Sequence, residues 1–592
     1  MRPLTVFGAL TLVVAMLGTG VAGATTPDQA RPRPQDARSG QAAIDMLGDD
    51  LRAVAGRHGM TPARLRELLL GDGTLRAEPG GSLFYVEPPE EVEGVEAVGD
   101  EPVFGGVAPL SETFALHSRP GSPRVIYLDF DGHSVNDAWA SYFKVSVGHE
   151  AAAYDTDGDA GSFSDGELTA IQDIWRRMAE DFAVFDVDVT TQDPGQDAIT
   201  RSGAADANFG TRVAFSSDAM KATCSCGGVA YVGVFDNTSS HDAYQPAWVF
   251  TTGAHNAAEA GSHEAGHNLG LSHDGTRTTG YYQGHGDWAP IMGVGYYEAI
   301  TQWSKGEYSG ANNSEDDFVV MQGNGIAVLA DDHGGASAPT GLAGSSLAAT
   351  GVIDSAADLD AFRFDAGAGT VTITVAPVTE GPNLDIALTL RDAGGAVIAS
   401  ADPPSTSVGK VASGLSATIV AVVPAGTYTL IVDGTGKGDP ATTGYSDYGS
   451  VGRYTLAGSV VPGDGTPPPP PPPDIVPDAP ASVTATAGQT GVELTWGAVD
   501  AADAYDVVRE SRHKSGRWVG ATTLATGVTG TTFTDTGVGN GTYRYLVRAT
   551  NSVGASTWTS SNEVSVSGST DGGGGGNGGG KGGGGGPKKS YA

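Results

Sequence analysis

The residues best suited to chemistry lie in one run, His263-Glu264-Ala265-Gly266-His267-Asn268-Leu269-Gly270-Leu271-Ser272-His273-Asp274. On a helix, positions four apart stand one turn apart and face the same way, so the imidazoles of His263 and His267 can reach one ion. Glu264 follows the first of them, where its carboxylate can take a proton from a water molecule. His273 falls beyond a straight continuation of that helix, and Gly270 can adopt the positive φ that turns the chain back. Three neutral imidazoles leave one coordination position open, as a catalytic zinc requires. An all-nitrogen ligand set and a reaction without redox chemistry both favour Zn2+. The expected chemistry is hydrolysis: the ion polarises the scissile carbonyl and shares the oxyanion's charge, while Glu264 carries a proton from water to the leaving amine. A bare H-E-x-x-H also arises by chance on ordinary helices with surface or capping histidines. Gly270, His273 and Asp274 weigh for the ligand reading.

These residues resemble the extended zinc motif of the metzincin metallopeptidases, and Asp274 after the third histidine is similar to the adamalysin or reprolysin branch. Ile291-Met292-Gly293 resembles the Met-containing turn that those enzymes place beneath the zinc. By that resemblance Met292 supports the histidines without binding metal; taken alone, it reads as a core residue. The resemblance further implies that substrate binds as an added β-strand along a cleft wall within residues 227–234. Astacins and serralysins carry a tyrosine two residues after the Met. Here Val294 stands there, with Tyr296 and Tyr297 further on, so the protein partner of the oxyanion stays unassigned.

Several elements must position these groups. Residues 125–130 read as a strand closed by Asp131-Gly132. Ser164 and Glu167 form a capping box for a helix to about Phe182, with Ile171, Ile174, Trp175 and Met178 on its apolar side. Residues 184–189, 212–215, 229–234 and 247–250 read as further strands. A helix over 257–269 carries the histidines, with Asn256 as its N-cap. Together they predict an α/β domain over 119–330, which the resemblance implies is metzincin-like. Asp155, Asp157 and Asp159 alternate, but Ala160 and Gly166 stand where a calcium loop needs Gly and Glu, so an acidic loop is the better reading. Cys224 and Cys226 are the only cysteines, which excludes a disulfide-dense scaffold or a four-cysteine zinc site. A small-loop disulfide between them is expected, the alternative being a zinc-contacting or redox-sensing thiol. With no cysteine near the N-terminus, the thiol-based latency of some metzincins cannot operate. Latency must come from cleft occlusion or another ligand.

The chain has 592 residues, too many for one domain, and its 89 Gly and 33 Pro point to linkers and turn-rich β structure. A net charge of −36 repels a phosphate backbone and argues against nucleic-acid binding. Residues 1–24 read as a secretory signal peptide, and no later segment is long and apolar enough to span a bilayer. The expectation is a secreted, extracellular protein without a stable membrane span, possible association with the cell surface included. Residues 25–118 contain two short helices, over about 42–58 and from Thr61-Pro62 to Leu70, then an acidic stretch with Glu87, Glu90, Glu91, Glu93 and Glu96. They form a removable pro-segment or a small domain that stays attached.

The fold class expected is therefore multidomain, the α/β domain being followed by two all-β sandwiches. Residues 341–461 resemble the bacterial pre-peptidase C-terminal domain through Asp358-Leu359-Asp360-Ala361-Phe362, the Asp392–Gly395 turn and Ala425-Gly426-Thr427-Tyr428. A proline-rich linker spans 462–476. Residues 477–567 are similar to fibronectin type III, with Trp496 early and Tyr543-Arg544-Tyr545-Leu546-Val547 late. A Gly-rich tail covers 568–592. The leading expectation is a zinc endopeptidase acting on protein or peptide, its sandwiches serving as spacers or binding an extracellular polymer or cell-surface target. The alternative is a modular surface- or polymer-binding protein with an inactive peptidase-like domain.

Overall fold

The computed structural model describes residues 32–89, 107–462 and 476–566, apart from 489, 490, 515 and 552. The expected signal peptide, proline run and Gly-rich tail lie outside the described residues. Among those described, no helix is long and apolar enough to cross a membrane.

The N-terminal segment carries helices Gly40–Leu47, Leu51–Arg57 and Pro62–Gly71, followed by the antiparallel strands Leu75–Ala77 and Leu83–Glu87. The single helix predicted over 42–58 is broken by a 3-10 turn at Gly48–Asp50. Thr61 caps the third helix, its hydroxyl accepting from Arg64 N at 3.1 Å, with Pro62 in the first turn. A compact apolar cluster around Leu47, Leu51, Leu65, Leu69 and Leu83 is built almost wholly from this segment; Val232 joins it from outside.

A seven-stranded mixed sheet runs through the next domain in the order Leu75–Ala77, Leu83–Glu87, Gly228–Tyr231, Ala247–Val249, Phe209–Phe215, Arg124–Asp129, Asp188–Thr190. The last four strands are parallel, whereas Gly228–Tyr231 runs antiparallel to both its neighbours. Helix Asp165–Asp181 starts at the Ser164–Glu167 capping box and packs against helix Ala254–Asn268. Every residue of the latter is buried. Its small side chains permit this: a Cβ on Gly261 would stand 2.6 Å from Met178 Sδ.

Three local expectations are corrected. Residues 184–187 leave the sheet because their backbone bonds go to residues 327–329, and only Asp188–Thr190 pairs with it. The strand predicted over 229–234 ends at Tyr231, after which the N–H groups of Gly233, Val234 and Phe235 donate to His267 O and Asn268 O and satisfy the helix end. Asn256 does not cap its helix, which starts at Ala254 after Gly253; its side chain accepts from Lys410 Nζ at 2.7 Å instead.

Two β-sandwiches follow. The first packs a five-stranded sheet on a four-stranded one around Phe362, Ile373, Leu388, Leu430 and Leu456. Its loops dock on the preceding domain: Asn383 donates to Asp181 at 2.9 Å and Lys437 pairs with Asp287 at 2.6 Å. The second encloses Trp496, Tyr505 and Tyr545 between a sheet of three strands and one containing Ala504–Arg512 and Gly541–Thr550.

Candidate functional site

The Ala254–Asn268 helix presents His263 and His267 one turn apart, as their spacing requires, with ring centroids 4.6 Å apart. Gly270 has φ +98° and turns the chain out of the helix, which brings His273 back against His267. The Nε2 atoms of His267 and His273 stand 3.2 Å apart. Two nitrogens bound to one tetrahedral zinc at ~2.05 Å would lie about 3.3 Å apart, so the pair fits a common ion. His263 donates from Nδ1 to Ile291 O at 2.8 Å and His267 from Nδ1 to Leu271 O at 2.9 Å, which leaves each Nε2 as the ligand atom. His263 Nε2 is buried without a hydrogen-bond partner, as are both carboxylate oxygens of Glu264. Buried polar atoms without partners are costly, and a cation with its water would relieve all three.

The fourth member of the cluster comes from the N-terminal segment. Glu87 Oε1 lies 2.9 Å from His273 Nε2, 3.4 Å from His267 Nε2 and 3.8 Å from His263 Nε2. One ligand atom from each of the four residues falls within 4.8 Å of the others, a set able to hold one cation. From the same segment, Asp72 Oδ2 accepts from His273 Nδ1 at 2.6 Å, and the Tyr85 ring stacks on His267 and lies tilted against His273, with centroids at 4.3 and 4.0 Å. None of these three residues was singled out as a ligand or partner of the site from sequence.

Charge follows from this packing. Burial pushes His267 down to about 3, which keeps it neutral and able to ligate. Burial also opposes charge on His273, but the Glu87 and Asp72 carboxylates outweigh it and raise that imidazole to about 10. Glu264 is pushed well above the ordinary carboxylate range by burial and by Glu87 beside it.

Met292 is fully buried beneath the helix, and a Cβ on Gly266 would stand 2.6 Å from its Sδ. Asp274 ties the two turns together, its N–H donating to Met292 O at 2.8 Å, while burial and Glu315 raise its carboxyl to about 7. Cys224 and Cys226 form a disulfide. The alternating aspartates make local turn contacts, Asp155 Oδ1 accepting from Gly158 N at 2.8 Å and Asp157 Oδ1 from Asp159 N at 2.9 Å. No sequence pattern points to Tyr281, whose ring lies 5.5 Å from that of His263 and 4.7 Å from that of His273, with the phenol beside Glu87.

Gly228 explains how the sheet reaches the site. A Cβ there would stand 1.9 Å from Glu264 Oε1, so any side chain at this position would have to displace the carboxylate.

No protein-family model and no curated protein matches the chain. Solved structures similar to parts of it include a Fn3-like protein from Clostridium thermocellum, 32% identical over 15% of this chain and 94% of its own, with TM-score 0.13. The FN5 domain of Drosophila Lar is 20% identical over 16% of this chain and 100% of its own, with TM-score 0.14. The pre-peptidase C-terminal domain of a Bacillus anthracis collagenase is 15% identical over 22% of this chain and 100% of its own, also with TM-score 0.14.

Proposed function

We propose that the chain is a secreted, metzincin-like zinc endopeptidase that hydrolyses extracellular protein. One observation carries this reading: three imidazoles converge on one point beside a buried carboxylate whose oxygens have no partner. His263, His267 and His273 would hold the ion, and their Nδ1 hydrogen bonds fix the ligating tautomer. Zinc, when bound, acidifies water and polarises a carbonyl. Glu264, buried beside the imidazoles with neither carboxylate oxygen partnered, would take the proton from the attacking water and hand it to the leaving amine. Tyr281, whose ring lies against those of His263 and His273, would donate its phenol to the oxyanion. The strand Gly228–Tyr231 would take substrate as an added β-strand beside Glu264.

The test is removal and return of metal. Protein cut C-terminal to Pro89 and stripped by a chelator should lose hydrolysis of an unfolded protein and regain it with one equivalent of Zn2+. The His267→Ala variant should regain nothing. A second reading, a binding protein whose metal site is closed for good, is favoured by the Glu87 contact alone. It would show zinc bound and no hydrolysis before or after the cut.

A further inference from the structure

Helix Asp165–Asp181 ends against the first sandwich, and its last two residues, Glu180 and Asp181, are both buried there. Glu180 Oε1 accepts from Arg453 N at 2.8 Å, and the Arg453 guanidinium donates to Ala179 O at 3.0 Å. The strand Gly452–Ser459 starts so close that a Cβ on Gly452 would stand 2.3 Å from the same carboxyl oxygen. Glu180 Oε2 is buried without a hydrogen-bond partner. Asp181 ties three elements together. Its Oδ1 accepts from Asn383 of the sandwich at 2.9 Å, and its Oδ2 accepts from the Ser262 hydroxyl of the Ala254–Asn268 helix.

The cations facing these acids are largely engaged elsewhere. On the same helix Arg177 is shared with Asp173, its Nε 3.4 Å from Oδ1, and Arg176 pairs with Glu380 of the sandwich at 3.2 Å. The Ala254–Asn268 helix adds a third buried acid, Glu259, together with His255, whose Nδ1 lies 3.3 Å from Arg177 Nη1. The sandwich contributes Arg453, and Lys410, which is bonded to Asn256. Buried acids crowded in this way are stable while they hold their protons. Burial accordingly pushes Asp181 up to about 6, Glu180 to about 7 and Glu259 to about 8. The two bodies have separate apolar cores, with one small shared cluster around Trp288, Ile300, Leu415 and Tyr445. Apolar contacts do not titrate, so this cluster can act as a pivot while the acidic end of the joint opens.

We propose that Glu180 and Asp181 form a proton-dependent latch: protonated, they hold the first sandwich against the helix end, and ionised, they let it swing away. The swing uses the short connection between Leu329, bonded to Val184 O, and His333, bonded to Thr350 O of the sandwich. A carboxyl raised by docking contributes in full below its ordinary value, 3.8 for Asp181 and 4.5 for Glu180. That contribution is lost as pH rises through the docked values of about 6 and 7. The sandwich is therefore held firmly in acid and loosely in mildly alkaline solution.

The test uses the full chain with Asp197→Cys and Val422→Cys carrying a donor and an acceptor dye. Both positions are exposed, one on the preceding domain and one on the sandwich. The native cysteines are joined to each other and do not take the dye. Energy transfer is followed from pH 4 to pH 9. Its distribution should be narrow in acid, then shift and broaden, with the change centred between about pH 6 and 8. Glu180→Gln keeps an oxygen for Arg453 N and cannot ionise, so it should move the change to higher pH and reduce its size. Adding Asp181→Asn should remove most of it. Should the double variant fail to fold, Glu180→Gln alone decides. Transfer that stays the same from acid to alkali would overturn the latch. A change in Glu180→Gln as large as in wild type, at the same pH, would overturn the assignment to these acids. The readout is a distance, so neither result bears on the peptidase reading.

Discussion

His263 and His267 are oriented by backbone carbonyls of their own domain, Ile291 O and Leu271 O, whereas His273 is oriented by the Asp72 carboxylate of the N-terminal segment. The two arrangements differ in what survives if that segment leaves. A carbonyl fixed in a packed turn stays where it is, so two ligands remain aligned. The third loses a charged partner on Nδ1 and, with Glu87, a second one on Nε2. On the proposed reading, two imidazoles would keep their orienting partners without the segment, and the third would not.

The largest expected effect breaks the permanent side of this comparison. His267→Ala removes one of the three proposed imidazole ligands, and zinc affinity should fall ~1,000-fold or more; metal analysis after dialysis against a weak chelator reads it directly. Next comes Tyr281→Phe in the cut protein, where losing one oxyanion donor should lower kcat by ~100-fold with zinc content unchanged. An unchanged kcat would remove Tyr281 from the mechanism. Asp72→Asn sharpens the comparison itself. It should weaken zinc binding ~10-fold in the uncut chain and have no effect once the segment is gone, as competitive metal titration would show.

The smallest effect lies at the joint with the first sandwich. Burial, with Asp181 nearby, pushes Glu259 up to about 8 from an ordinary value near 4.5. A carboxyl raised by folding contributes stability in full below about pH 4.5, and that contribution is lost as pH rises through about 8. Glu259→Gln should therefore match wild type in Tm at pH 4 and exceed it by a few degrees at pH 9. Its bond from Thr301 at 3.0 Å can be kept by the amide. Equal melting at both pH values would contradict the assignment.

How much of this was legible in the sequence depended on the range of each contact. Ligands on one helix follow its period, so residues 263–274 announced themselves, and Ser164 with Glu167 marked a helix start in the same local way. The alternation of apolar Val492, Leu494 and Trp496 with polar neighbours has the period of a half-buried strand, and Val492–Trp496 is one. Glu87 was read only as one glutamate of an acidic stretch, because strand register rather than local pattern brings it to the histidines. A signal did exist: Leu83-Phe84-Tyr85-Val86 is a β-favouring run between Gly80-Gly81 and Pro88-Pro89. Even so, its partner lies some 140 residues away, and nothing in the run names it. Asp72 and Tyr281 sit outside any regular repeat, one just past a helix end and the other in the 270–287 loop region. Residues 184–187 show the opposite failure, an apolar run with strand character that tertiary contacts with 327–329 draw off the sheet.

The central claim is that the buried carboxylate beside the three imidazoles moves the proton in peptide hydrolysis. It is tested most directly by comparing cut wild type with cut Glu264→Ala on an unfolded protein, with zinc quantified in both. The account expects hydrolysis by wild type, a loss of ~100- to 10,000-fold in the variant, and one zinc per chain in each. Zinc-loaded, folded wild type that cleaves nothing, or a variant that cleaves as fast, would contradict it.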